Sequence, residues 1–137
     1  MDLSKTRIKF KITEKDKTMK KYSIIKPDPT LQSNLMAFGF ACDKGWYPLI
    51  YETLDKIQAI VDRNNLDLEI TQVKEKYGEL IIYTSSYTKE IDKIIQDATD
   101  KSITICEQCN KEGRLVQIGG WRKTLCPECL EKHTRRC

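Results

Sequence analysis

Histidine is nearly missing from this chain: His133 is the only one in 137 residues. Any catalytic or metal site built on two imidazoles is therefore excluded. Glycine and proline are also sparse, at six and four. Neither of the phosphate-cradling patterns GxxxxGK[ST] and GxGxxG occurs. No apolar run approaches ~18 residues, which excludes a membrane-spanning helix, and no membrane partner is expected. The opening residues, MDLSKTRIKFKITEKDKTMKK, lack the hydrophobic stretch of a secretory leader. Hydrophobic residues make up only 39% of the chain, yet clear Ile/Leu runs argue against a disordered polymer. The length suits one compact domain with at most a small appendage.

Cysteine, by contrast, is plentiful, with six in the chain. Without a leader the expected location is the cytoplasm of a bacterial cell. In that reducing compartment, paired cysteines point to metal or redox chemistry rather than to disulfides.

Charge is unevenly spread. Residues 1–26 hold nine Lys/Arg against three Asp/Glu, a balance of +6. Residues 27–100 hold seven against thirteen, a balance of −6, and residues 101–137 hold eight against four, a balance of +4. The net +4 is thus a difference between basic ends and an acidic middle. A basic end attracts nucleic acid, an acidic partner or an anionic surface, or it is a solvated tail lying against its own acidic middle.

Three segments follow. Residues 1–29 read as a basic, partly mobile arm, with a short strand pattern at Ile8, Phe10 and Ile12 and a boundary at Lys26-Pro27-Asp28-Pro29. Residues 30–101 read as an α+β core. Trp46, Ile50, Leu54, Ile57 and Val61 recur at helical spacing and predict a helix over roughly 46–64, started near Gly45 or Trp46 because Pro48 suits only a first turn, and ended at Asn64-Asn65. Leu66, Leu68 and Ile70 alternate with polar residues as a half-buried strand does, and Leu80–Tyr83 forms a second, with Gly78 in the turn between them. Glu75 and Glu79 fall beside that turn and read as solvated. A second helix is expected over roughly 87–100, capped by Ser86 or Thr88. The fold class is α+β: a helix–β-hairpin–helix core followed by a C-terminal treble-clef or zinc-ribbon module over 102–137.

That module rests on two CxxC pairs, Cys106/Cys109 and Cys126/Cys129, with sixteen residues between them. Two sulfurs three residues apart on a tight knuckle reach two corners of a tetrahedron, so this spacing predicts a four-thiolate zinc site. Leu115–Ile118 and Trp121–Leu125 read as strands joined by Gly119-Gly120, which returns the chain from one pair to the other. Asn110, after the first pair, suits a left-handed conformation. Pro127 suits the first position of a helix over CLEKHTRR. Knuckle, hairpin and helix start would make a treble clef, and a second knuckle on another hairpin would make a zinc ribbon. His133, four residues after Cys129, is either a solvated residue or a substitute ligand. Four protein ligands leave no open coordination position, so the expected Zn2+ is structural. Its four thiolates lower the C-terminal balance from +4 to about +2. A redox CxxC is the competing explanation. Cys42 reads as a buried thiol and Cys137 as incidental.

Catalysis is not expected. A nucleobase deaminase needs a ligand-x-Glu before a Pro-Cys-x-x-Cys and an open zinc position, whereas here the proline lies inside the second pair. A hydrolytic triad lacks a placed histidine.

Across GWYPLIYETLDKI, QVKEKYGELIIY and CEQC…GGWRKTLCPEC the chain resembles a family of small, functionally uncharacterised proteins often found in phages and prophages. The likeness covers roughly residues 38–132. Where many relatives have a Cys-Gly-Asp-Gly-Trp entry, this chain reads Cys42-Asp43-Lys44-Gly45-Trp46. The resemblance implies a phage-type accessory protein that acts by binding a host protein, host defence machinery included. The alternative is a nucleic-acid-binding zinc-finger regulator. It would use Arg114, Arg122, Lys123, Arg135 and Arg136, with Trp121 as a stacking platform, against the repulsion of the acidic middle. The same residues are candidates for contact with a protein partner, and covering the hairpin is the competing role for Trp121.

Overall fold

The strongest helical pattern in the sequence forms the longest element, α1 (Tyr47–Asn64), in the computed structural model, which describes residues 22–135. The strand pattern at Ile8–Ile12, Arg136 and Cys137 lie outside the described residues. Pro48 sits in the first turn of α1, where its missing N–H costs nothing. Asn65 ends the helix in a left-handed conformation, φ 52°. Leu49, Ile50, Thr53, Leu54, Ile57, Ile60 and Val61 are buried along one face. Trp46, expected inside the helix, instead precedes it in a single 3-10 turn (Lys44–Trp46) and is fully buried.

That helical face shares one buried core with a three-stranded sheet in the order β1 (Phe40–Ala41), β2 (Ile70–Lys76), β3 (Glu79–Thr84). The hairpin β2–β3 is antiparallel, and β1 runs parallel to β2 with Phe40 opposite Val73. The first strand of the hairpin lies later than the alternation of Leu66, Leu68 and Ile70 suggested. Its ladder begins at Ile70, opposite Thr84, because β3 supplies no partner beyond that point. Residues before it lie outside the ladder: Glu69 exchanges hydrogen bonds with Ser85, the Asp67 carbonyl accepts from Ser86 Oγ, and the Leu66 N–H is held by the Val61 carbonyl at the end of α1. Conversely, Lys74–Lys76, expected in the turn, pair with Glu79–Ile81. The turn narrows to Tyr77 and Gly78, both at positive φ (53° and 86°), as a two-residue hairpin requires.

Helix α2 (Lys89–Ser102) begins at Thr88, whose side chain accepts the Ile91 N–H at 3.2 Å. It covers the sheet with Ile91 and Ala98. Its last turn is stitched to β3: Ser102 Oγ accepts the Leu80 N–H at 3.0 Å and Thr99 Oγ1 donates to the Leu80 carbonyl at 2.7 Å. The core also takes in Tyr22, Ile24 and Ile25, from the stretch read as an arm. Ile24 is tied to Ile70 through its carbonyl. The Pro27–Pro29 boundary is a local turn on Asp28, whose carboxylate accepts from Thr30 and Ser33.

A second sheet, β4 (Arg114–Ile118) with β5 (Trp121–Leu125), is an antiparallel hairpin turned at Gly119-Gly120. Helix α3 (Pro127–Arg135) follows. The described residues are therefore α+β, with three helices and two small sheets.

Candidate metal centre

Each cysteine pair is placed by backbone geometry. In the first, the Asn110 N–H bonds to the Cys106 carbonyl at 3.0 Å and the Cys106 N–H to the Lys111 carbonyl at 2.7 Å. Asn110 reverses the chain at φ 73°, the left-handed conformation expected of it. In the second, Cys126 stands at the start of α3. Its carbonyl accepts the Leu130 N–H at 2.9 Å, and the Cys129 N–H points at its sulfur at 3.4 Å. The two knuckles bring the four sulfurs within 4.8 Å of one another. Cys109 Sγ and Cys126 Sγ are 3.5 Å apart, and no disulfide joins them. Cys106, Cys126 and Cys129 are buried and Cys109 is exposed. Leu125 lies in the same buried cluster, with Val116, Ile118 and Leu130 packed against it.

A tetrahedral ion bound by thiolates at ~2.3 Å holds its sulfurs ~3.8 Å apart. The observed cluster spans that distance, so the four cysteines can hold a metal ion. The sulfurs are not equivalent before they do. The Cys129 N–H draws the Cys126 thiol down to about 7, while burial pushes Cys129 up to about 12. Of these two sulfurs, Cys126 is the more readily ionised. His133 is not among the four clustered ligand atoms; its Nε2 lies 2.6 Å from the Gln108 amide.

The cysteine cluster is not self-contained. Glu107, between the first two cysteines, is 2% exposed, although no sequence pattern assigned it a role. One of its carboxylate oxygens accepts the Asp43 N–H at 3.0 Å; the other meets Lys123 Nζ at 3.4 Å. Burial pushes its carboxyl up, against the pull of Asp43 N–H and Lys123. Its carbonyl accepts the Gly45 N–H at 2.6 Å. Asn110 Nδ2 donates to the Gly45 carbonyl at 2.7 Å, and Trp46 Nε1 to the Ile105 carbonyl at 2.8 Å. A Cβ on Gly45 would stand 2.3 Å from the carbonyl oxygens of both Cys106 and Glu107. Glycine is required there by close approach of two backbones.

A second joint lies at the β2–β3 turn. Thr124, fully buried, donates from Oγ1 to the Gly78 carbonyl at 2.7 Å. Glu75 is not solvated as expected: its side chain is 19% exposed, bonds the Gly78 N–H at 2.7 Å and pairs with Lys123 at 3.8 Å. Glycine next to tryptophan at the entry of a helix, and glycine in a turn, were the only signals of these joints in the sequence.

The other candidate contact residues are scattered. Arg114 and Trp121 stand at opposite ends of the hairpin, ~13 Å apart along it. Arg122 is exposed, and Trp121 is 72% exposed at the tip rather than covering the hairpin. Trp121 borders a cleft of about 290 Å³ with Ile118, Lys123 and His133. Lys123 is committed to Glu107 and Glu75. Arg135 is the last residue of α3. Compared with protein-family models, curated proteins and solved structures, the chain matches none of them.

Proposed function

We propose that the four thiolates hold one structural Zn2+ in a treble-clef module, and that this is a non-enzymatic, phage-type accessory protein acting by binding a host protein. The observation that carries the metal half is the closed sulfur cluster at Cys106, Cys109, Cys126 and Cys129. Soft thiolates in a compact tetrahedral set suit zinc, and four protein donors leave no place for a bound water or substrate. Knuckle, hairpin and a helix opened by the second pair follow one another in the treble-clef order. The binding half is supported by surface. Phe38, Tyr77, Tyr87 and Trp121 are each more than 60% exposed, and rigid aromatics of this kind anchor protein interfaces. The acidic balance of residues 27–100 disfavours phosphate and favours a basic partner.

Two measurements test this. Elemental analysis of the purified protein should find one zinc per chain, lost in Cys106→Ser. A pull-down from bacterial host lysate should recover one protein in stoichiometric amount, held less tightly by Trp121→Ala. Recovery of nucleic acid instead, bound in a salt-sensitive way and weakened by Arg122→Ala, would replace the host-protein reading with the regulator.

A further inference from the structure

We infer that Gly45 and Asn110 are positioning residues of the metal centre, and that the entry loop 43–46 and the first cysteine knuckle form one cooperative unit through which metal occupancy controls the packing of Trp46. This rests on the metal reading above and extends it, because a metal that only folded its own module would leave the α+β core untouched.

Four hydrogen bonds cross between the two segments. Gly45 donates to the Glu107 carbonyl, Asn110 donates to the Gly45 carbonyl, Asp43 donates to the Glu107 carboxylate, and Trp46 donates to the Ile105 carbonyl. They bracket Cys106 on both sides, joining residues about 60 positions apart in the chain. Gly45 has no space for even one added carbon against the knuckle backbone. Trp46, fully buried, anchors the start of α1. Three of the cysteines lie in a small apolar cluster around Leu125 and Cys109 is exposed, so without metal the knuckle has few apolar contacts and its ordering depends on the loop. With metal, the knuckle is rigid and presents its carbonyls to the loop. Linkage makes the coupling reciprocal: the factor by which metal strengthens the loop–knuckle contact is the factor by which that contact strengthens metal binding.

The chain has two tryptophans, so Trp121→Phe leaves Trp46 as the only reporter in the full-length protein. Chelation of that protein, with released zinc counted by a chromogenic indicator, should shift Trp46 emission to the red, and re-addition of Zn2+ should reverse it. Asn110→Gly removes the amide while suiting the left-handed backbone, and should lower zinc affinity about five-fold in indicator competition. Gly45→Ala should lower it ten-fold or more; should that variant fail to fold, Asn110→Gly carries the test. Zinc released with no movement of Trp46 emission, or an affinity within two-fold of the parent in Asn110→Gly, overturns the coupling and leaves the structural zinc standing. Protein that never binds zinc overturns both.

Discussion

At the scale of single residues, this protein uses a few polar side chains to settle how apolar surfaces meet. Tyr22 is buried, and its hydroxyl donates to Asp55 at 2.7 Å. Burial first, then the bond to Asp55, raises the Tyr22 hydroxyl above the ordinary tyrosine range. A raised folded-state value means that stability is fully present below about pH 10, where the unfolded tyrosine titrates, and is lost as pH rises beyond it. Tyr22→Phe should therefore cost about 1 kcal/mol at neutral pH and show a shallower loss of stability above pH 10 than the parent, measured by urea unfolding across that range. Thr124 is the second such residue. Thr124→Val keeps the shape but leaves the buried Gly78 carbonyl without its donor, a loss of about 1–3 kcal/mol by the same measurement.

At the scale of elements, the helices follow local chemistry and the strands follow their partners. Thr88 caps α2, and Glu90 and Asp92 lie in its first turn, favoured by the positive end of the helix. Thr88→Ala should destabilise the protein by about 1 kcal/mol in thermal or denaturant unfolding. Leu54 lies in the middle of the buried face of α1 with no exposed surface. Leu54→Ala should cost about 2–5 kcal/mol, the spread depending on how far the site collapses around the lost volume. The period of the apolar residues in α1 made that helix legible, because a helix makes its backbone hydrogen bonds within itself. The β2 strand was displaced from its alternating residues, because a strand begins where its partner begins, and Thr84 is the end of β3.

At the scale of the whole molecule, the two sheets share a joint. Lys123 lies between Glu107 of the knuckle and Glu75 of β2, and its side chain is only 22% exposed. A cation that charge counting had offered to nucleic acid is thus spent inside the protein. Metal binding should also be a whole-molecule proton event. Thiols must ionise to bind, and Cys126 is drawn down to about 7 while Cys129 is pushed up to about 12. Zinc uptake should therefore release protons at neutral pH, and apparent affinity should fall as pH is lowered, most steeply below about 7 once Cys126 is also protonated. Indicator competition between about pH 8 and pH 5.5, with proton release followed in weak buffer, checks both.

What the sequence determined by itself is what depends on near neighbours. The two CxxC spacings, the Gly119-Gly120 turn, Pro127 at a helix start, Asn110 in a left-handed turn and the stripe of α1 all act within a few residues, and the structure bears each of them out. Only the tertiary structure decided that Glu107 is buried, that Gly45 touches the backbone of Cys106, that Glu75 is paired rather than solvated, and that Trp121 stands free. Each of those depends on which surface meets which across tens of residues. A glutamate between two cysteines carries no local sign that it will be desolvated against Asp43 and Lys123. That follows only when the knuckle is seated on the loop that begins α1, where close backbone contact and shared hydrogen bonds join the cysteine cluster to the core.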